Sequence, residues 1–276
     1  MNSKNIAFVY DFDGTLTPED SFSAAILPEL NISRFDFWDE VDRINNHKQV
    51  DPHGAGMLYL KQMMDKCNIP LTRHWLASKA DKINFCSGLE DEWFTHMNAY
   101  ATSLDLKAHH YIISAGQKEL IDACKIAHQF EGIYANEYYY DNNDHALWPA
   151  HIVNSTNKLQ FLFRIHKGLF DLGNYLELYE YVPKVERAIP FENIIFIGDG
   201  ETDVPCMKVT KGRGGLAVSV YPNEDYRGVA QRLHAQNRVD ACFEANYKKN
   251  SPLSQYIIKH LQHIAQKHPL HESSLK

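Results

Sequence analysis

The chain has 276 residues, 44% of them hydrophobic, enough for one large domain or two modest ones around a real core. Its 35 acidic and 28 basic side chains leave a formal charge of -7, so no global positive field is present to hold nucleic acid or an anionic membrane, and a phosphate site must be made locally. The five scattered cysteines (Cys67, Cys86, Cys124, Cys206, Cys242) contain no Cys-x-x-Cys pair, and no apolar run reaches membrane-spanning length. The expectation is a soluble, unexported cytoplasmic protein with reduced thiols and no disulfide framework or zinc knuckle.

In chain order, Ile6-Ala7-Phe8-Val9-Tyr10 is a continuous apolar run that stops at Asp11-Phe12-Asp13-Gly14, the pattern of a buried parallel strand opening into a loop. From about Ser21 to Lys107 the patterning is helical, as in Met57, Leu58, Leu60, Lys61 and Met64, and reads as a small inserted domain over the strand end. Tyr111-Ile112-Ile113 followed by Ser114-Ala115-Gly116 repeats the strand-then-polar grammar. Leu120, Ile121, Cys124, Ala127 and His128 then share one face of an expected crossover helix. Gly132 to Trp148, with the turn Asp141-Asn142-Asn143-Asp144, reads as a hairpin, and Gly168 to Pro190 as a surface excursion with a short helix. Ile194 to Ile197 ahead of Gly198-Asp199-Gly200, and Leu216 to Val220, are further strands, and Tyr256, Ile257, Leu261 and Ile264 mark a terminal helix. Together these predict an α/β fold: a Rossmann-like, mostly parallel sheet from residues 1–20 and 108–276, with a helical cap over 21–107 inserted after the first strand. Ligands of such sheets sit at the carboxyl ends of the strands, where Asp11, Ser114 and Asp199 fall.

The chemistry-bearing residues gather at those ends. Asp11 and Asp13 lie two apart before Gly14, so one carboxylate can attack phosphorus while the other handles protons; alone, the pair also fits an ordinary Asp-Gly turn. Asp199 and Asp203 add a second acidic pair whose oxygens suit Mg2+, although Asp203 also fits a helix start with Pro205 in the first turn. Ser114 at its strand end, followed by Ala115 and Gly116 at a helix start, can offer a hydroxyl and backbone N–H groups to a phosphate, or simply cap that helix. Lys158 heads a helical pattern and can neutralise charge at the same place, with Lys167 a competing candidate.

These four segments in this order resemble the haloacid dehalogenase superfamily of hydrolases. The resemblance covers roughly residues 5 to 20 and 108 to 245, and its most specific parts are Asp11-Phe12-Asp13-Gly14-Thr15 and Gly198-Asp199-Gly200-Glu201-Thr202-Asp203. It implies Asp11 as nucleophile and metal ligand, and Asp13 as acid/base that gives its backbone carbonyl to Mg2+. It makes Ser114 and Lys158 phosphate binders and Asp199 a direct metal ligand, with Asp203 direct or acting through water. An acid at Asp13 is similar to the phosphatase branch, and the helical insertion to the cap of the phosphoserine-phosphatase-like subgroup. The implied activity is Mg2+-dependent hydrolysis of a small phosphorylated metabolite, with no nucleic-acid or membrane partner. A phosphotransferase or mutase of the same fold and a catalytically silent binding protein stand as alternatives.

Overall fold

The computed structural model describes residues 4–267. Its strands are β1 (Asn5–Tyr10), β2 (Lys107–Gln117), β3 (Gly132–Tyr140), β4 (Ala146–His151), β5 (Ile194–Gly198), β6 (Leu216–Tyr221) and β7 (Ala241–Glu244). They form one sheet in the order β4-β3-β2-β1-β5-β6-β7, parallel throughout except for the antiparallel β3–β4 pair. The helices are α1 (Ser21–Ala25), α2 (Arg34–Lys48), α3 (Pro52–Lys66), α4 (Arg73–Ala77), α5 (Trp93–Ser103), α6 (Lys118–Asp122), α7 (Lys158–Lys167), α8 (Val204–Gly212), α9 (Arg227–Ala235) and α10 (Pro252–Lys267). The chain runs outward from β1 to β4 and then returns across β1 to β5, so strand order reverses at β1 and a crevice opens at its carboxyl end.

After Asn5, β1 carries only apolar and aromatic side chains, Ile6 to Tyr10, because both faces of the sheet are covered. Ile6, Phe8 and Tyr10 join the cluster that includes Trp93, Met97 and Ile257, whereas Ala7 and Val9 join Leu162, Ile165 and Met207 on the other side. The inserted stretch is helical because its polar residues stand where helix starts need them. Asp20, Ser33, Asp51 and Thr72 each accept hydrogen bonds from the first-turn N–H groups of α1, α2, α3 and α4, and Pro52 sits where its missing N–H costs nothing.

The last helix of this stretch, α5, packs on the sheet itself. Trp93 Nε1 donates to Tyr10 Oη at 2.9 Å, that hydroxyl lies 3.0 Å from His110 Nδ1, and His110 Nε2 lies 3.0 Å from Asn98 Oδ1. Phe8 stacks on the His110 ring at 4.9 Å and Phe94 meets it edge-on at 5.1 Å. A fully connected polar chain of this kind fixes how helix and strand pack, because each member would be costly if left unpaired.

Two local expectations are corrected. Ser114 lies near the end of its strand as expected, but Ala115 and Gly116 continue β2 instead of starting a helix; the pairing of β2 with β3 shifts register between Ile113 and Gln117, and α6 begins only at Lys118. The crossover helix is also interrupted. α6 ends at Asp122, a 3-10 turn covers Ala127–Gln129, and Ile126 rather than His128 fills the core beside Cys124. The hairpin is present as β3–β4, and the excursion after Gly168 carries 3-10 turns at Leu176–Tyr179 and Lys184–Glu186. All five cysteines are free thiols, and among the described residues no helix is long and apolar enough to cross a membrane.

Burial, helped by the neighbouring His109, pushes the His110 pKa from 6.5 down to about 3. Protonation therefore favours the unfolded chain: this contribution is complete above pH 6.5 and is lost as pH falls below it. Urea unfolding should show wild-type stability falling between pH 6 and 5 by about 1 kcal/mol more than that of His110→Phe. Parallel pH profiles for the two proteins would contradict the assignment.

Candidate active site

β1 ends by pairing with β2 and β5 at once, Tyr10 lying opposite Ile112 and Ile197, so the next residue of each chain segment emerges into the same crevice. Asp11 is tied there by its own N–H, which donates to the Ile197 carbonyl at 2.9 Å, and its Oδ1 accepts from the Phe12 N–H at 2.8 Å. Carboxylate oxygens of Asp11, Asp199 and Asp203 lie within 4.8 Å of one another. Lys158 reaches them from the first turn of α7, its Nζ 3.0 Å from Asp11 Oδ1 and 2.7 Å from Asp203 Oδ1, with its side chain fully buried.

Formal charge explains the electrostatics. Asp11, Asp13, Asp199 and Asp203 would carry four negative charges against the single positive charge of Lys158. Burial, then the Asp11 and Asp203 carboxylates, push Asp199 up to about 8. Asp203 is raised to about 6 by burial and Asp11 against the opposing pull of Lys158. Asp13 is raised to about 7 by burial first and then by Asp20, with the hydrogen bond from the Ser21 N–H, 2.8 Å from its Oδ1, acting the other way. Burial also works against the Lys158 ammonium, yet Asp11 and Asp203 outweigh it and hold its pKa above the ordinary value. A set of hard oxygen donors with surplus negative charge fits Mg2+, whose residual ligands are commonly water and substrate phosphate.

Two glycines make this crowding possible. Gly14 has φ +74°, and a Cβ there would come within 2.4 Å of Asp199 Oδ2. At Gly116 a Cβ would come within 2.8 Å of Asp13 Oδ2 and 3.1 Å of Ser114 Oγ. Ser114 Oγ itself accepts the Gly116 N–H at 2.9 Å, so the hydroxyl and this stretch of backbone form one unit beside Asp13.

The structure thus brings Asp11, Asp13, Ser114, Gly116, Lys158, Asp199 and Asp203 to one crevice. Lys167 lies at the opposite end of α7, where its Nζ donates to the Leu178 and Glu180 carbonyls at 2.6 Å and braces the excursion. Other residues of the site escaped sequence reasoning. Asn136 donates to the Ala115 carbonyl and accepts from Val153 N–H at 2.6 Å, pinning the end of β2 to the segment that leads to α7. Asn154 Oδ1 accepts from the Thr156 and Asn157 N–H groups at 3.0 Å, and its backbone oxygen accepts from Lys158 N–H at 2.9 Å, which sets the start of α7. Gln117 and His53 line a cavity of about 310 Å³ beside Asp13. A buried-strand asparagine and an Asn-x-x-Asn turn were the available signals, but both are common without any site.

The model of the haloacid dehalogenase-like hydrolase family matches residues 8–208. An uncharacterized protein of Borreliella burgdorferi is 27% identical over 94% of this chain and 98% of its own length. Among solved structures, a phospho-aspartyl intermediate analogue of phosphoserine phosphatase superposes with a TM-score of 0.53 at 14% identity, covering 93% of this chain and 99% of that one. A probable phosphoserine phosphatase from Vibrio cholerae gives 0.56 at 12% identity, covering 97% and 68%. At such identities the shared property is the fold.

Removing a buried counter-charge leaves its partners uncompensated, so Lys158→Met should cost about 3–5 kcal/mol in urea unfolding without metal. Lys167→Met, which loses only two bonds to backbone at the surface, should cost about 1 kcal/mol. Equal losses would refute the distinction between them.

Proposed function

As the chain belongs to the haloacid dehalogenase-like hydrolases, we propose that it is a Mg2+-dependent phosphatase that cleaves a phosphate monoester of a small molecule through an aspartyl-phosphate on Asp11. The observation that carries this reading is the convergence of Asp11, Asp199 and Asp203 within 4.8 Å around a buried Lys158, with Asp13 alongside. Asp11, Asp199 and Asp203, with the Asp13 carbonyl, would hold the cation. Bound there, Mg2+ supplies positive charge that lets an anionic nucleophile and an anionic phosphate approach and that stabilises charge on the transferring group.

The protein's own groups account for the remaining chemistry. Asp11 Oδ1 is engaged by Phe12 N–H and Lys158, which leaves Oδ2 to attack phosphorus. As the Asp11–phosphorus bond forms and the ester bond breaks, Asp13 gives its proton to the departing alcohol oxygen. Its carboxyl, raised to about 7, holds a proton near neutrality as this step requires. In the second displacement Asp13 takes a proton from water, whose oxygen attacks phosphorus and releases Asp11 and phosphate. Lys158, the Ser114 hydroxyl and the adjoining backbone N–H groups hold the phosphoryl oxygens throughout.

With Mg2+ and a broad panel of phosphate monoesters, Asp11→Asn should lose at least about 10³-fold in kcat, and Asp13→Asn about 10²- to 10⁴-fold, both keeping the wild-type circular dichroism spectrum. Wild-type turnover by Asp11→Asn would sink the nucleophile assignment. Transfer of phosphate to an added alcohol in preference to water would instead favour a phosphotransferase.

A further inference from the structure

Asp13, Ala115 and Gly116 line one part of the cavity beside the acidic cluster. One wall is aromatic: Phe22 and Phe37 have ring centroids 5.1 Å apart, Phe37 and Trp38 5.2 Å, and Phe22 and Trp38 6.1 Å. The wall is held in place, since Trp38 Nε1 donates to Ser23 Oγ at 3.2 Å and that hydroxyl donates to Asp20 Oδ2. Arg34 stands at the rim, exposed, and also lines a shallow outer groove with Asp39 and Asp42. Among the described residues its guanidinium has no hydrogen bond, ion pair or ring contact.

Resting on the phosphatase reading, we infer that the preferred substrate is a phosphate monoester whose alcohol portion carries a flat apolar body, for the half-buried Phe22 and Trp38 rings that the fully buried Phe37 backs, and beyond it a carboxylate, for Arg34. Apolar surface placed on that wall leaves water at about 25 cal/mol per Å², a gain that a two- or three-carbon polar alcohol cannot collect. A guanidinium without a partner offers paired donors to a carboxylate. Asp39 and Asp42 in the same outer groove disfavour the greater charge of a second phosphate. Asp20, which lines the same cavity, is already engaged by Phe22 N–H, Ser23 N–H and the Ser23 hydroxyl.

The test compares esters of primary alcohols, so that leaving-group reactivity stays similar: ethyl, benzyl and 4-carboxybenzyl phosphate with Mg2+. The expected kcat/KM rises at least about tenfold from ethyl to benzyl and about tenfold again to 4-carboxybenzyl. Arg34→Ala should erase only the second step, and Trp38→Ala should reduce both aryl esters toward the ethyl value. Three wild-type values within threefold, or an undiminished carboxylate gain in Arg34→Ala, would overturn the inference while leaving the phosphatase reading intact. Hydrolysis of none of the three would count against the phosphatase reading instead. In that event calorimetric titration with 4-carboxybenzylphosphonate, which cannot be hydrolysed, still decides: binding at least tenfold tighter than ethylphosphonate and lost in Arg34→Ala supports the pocket, and equal binding overturns it.

Discussion

The rest of the site depends on one buried ammonium placed among too many carboxylates. Lys158, fully buried, bridges Asp11 at 3.0 Å and Asp203 at 2.7 Å. Without it the Asp11–Asp203 pair would be costly to bury, and with it the acids still outnumber the cation. The elevated Asp199 and Asp203 express that surplus. A fold that only needed stability would place apolar residues here, so the retained imbalance reads as a site built to receive positive charge.

Much of the surrounding structure keeps this arrangement from relaxing. Gly14 lets the loop after β1 come up against Asp199, and Asn136 and Asn154 set the β2 end and the first turn of α7 on which Lys158 rides. The segments by which the helical stretch leaves and rejoins the sheet are tied together: Cys86 N–H donates to the Leu16 carbonyl at 2.9 Å. Tyr247 clasps both, its hydroxyl donating to the Thr15 carbonyl at 2.9 Å and its N–H to the Ser87 carbonyl at 2.7 Å. The wall of Phe22, Phe37 and Trp38 therefore stands at a set place relative to Asp13.

Legibility in the sequence followed the range of the interactions. Apolar runs ending in Asp or Gly marked β1, β5 and their loops, because both faces of these two central strands are buried and their runs Ile6–Tyr10 and Ile194–Ile197 stay apolar until they end. The helical character of the inserted stretch was likewise readable from its period, as in Met57, Leu60, Lys61 and Met64. The segment around Ser114 misled for a physical reason: small residues before an apolar helical pattern fit a helix start, whereas here β2 continues through them because β3 still pairs at Gln117. The choice between Lys158 and Lys167 turns on which end of α7 faces the crevice, a long-range fact that no local spacing contains. Asn136, Gln117 and His53 were silent for the same reason, since each acquires meaning only from what the fold places beside it.

The claim that surplus buried charge defines this site is tested most directly by thermal unfolding of wild-type protein and Asp199→Asn at pH 8, each in EDTA and in Mg2+. Asparagine removes one uncompensated charge, so in EDTA Asp199→Asn should melt above wild type by a few degrees, on the order of 1–2 kcal/mol, while Mg2+ should raise the wild type and leave the variant nearly unmoved. A wild-type midpoint indifferent to Mg2+, together with a variant that melts lower in EDTA, would contradict the central claim.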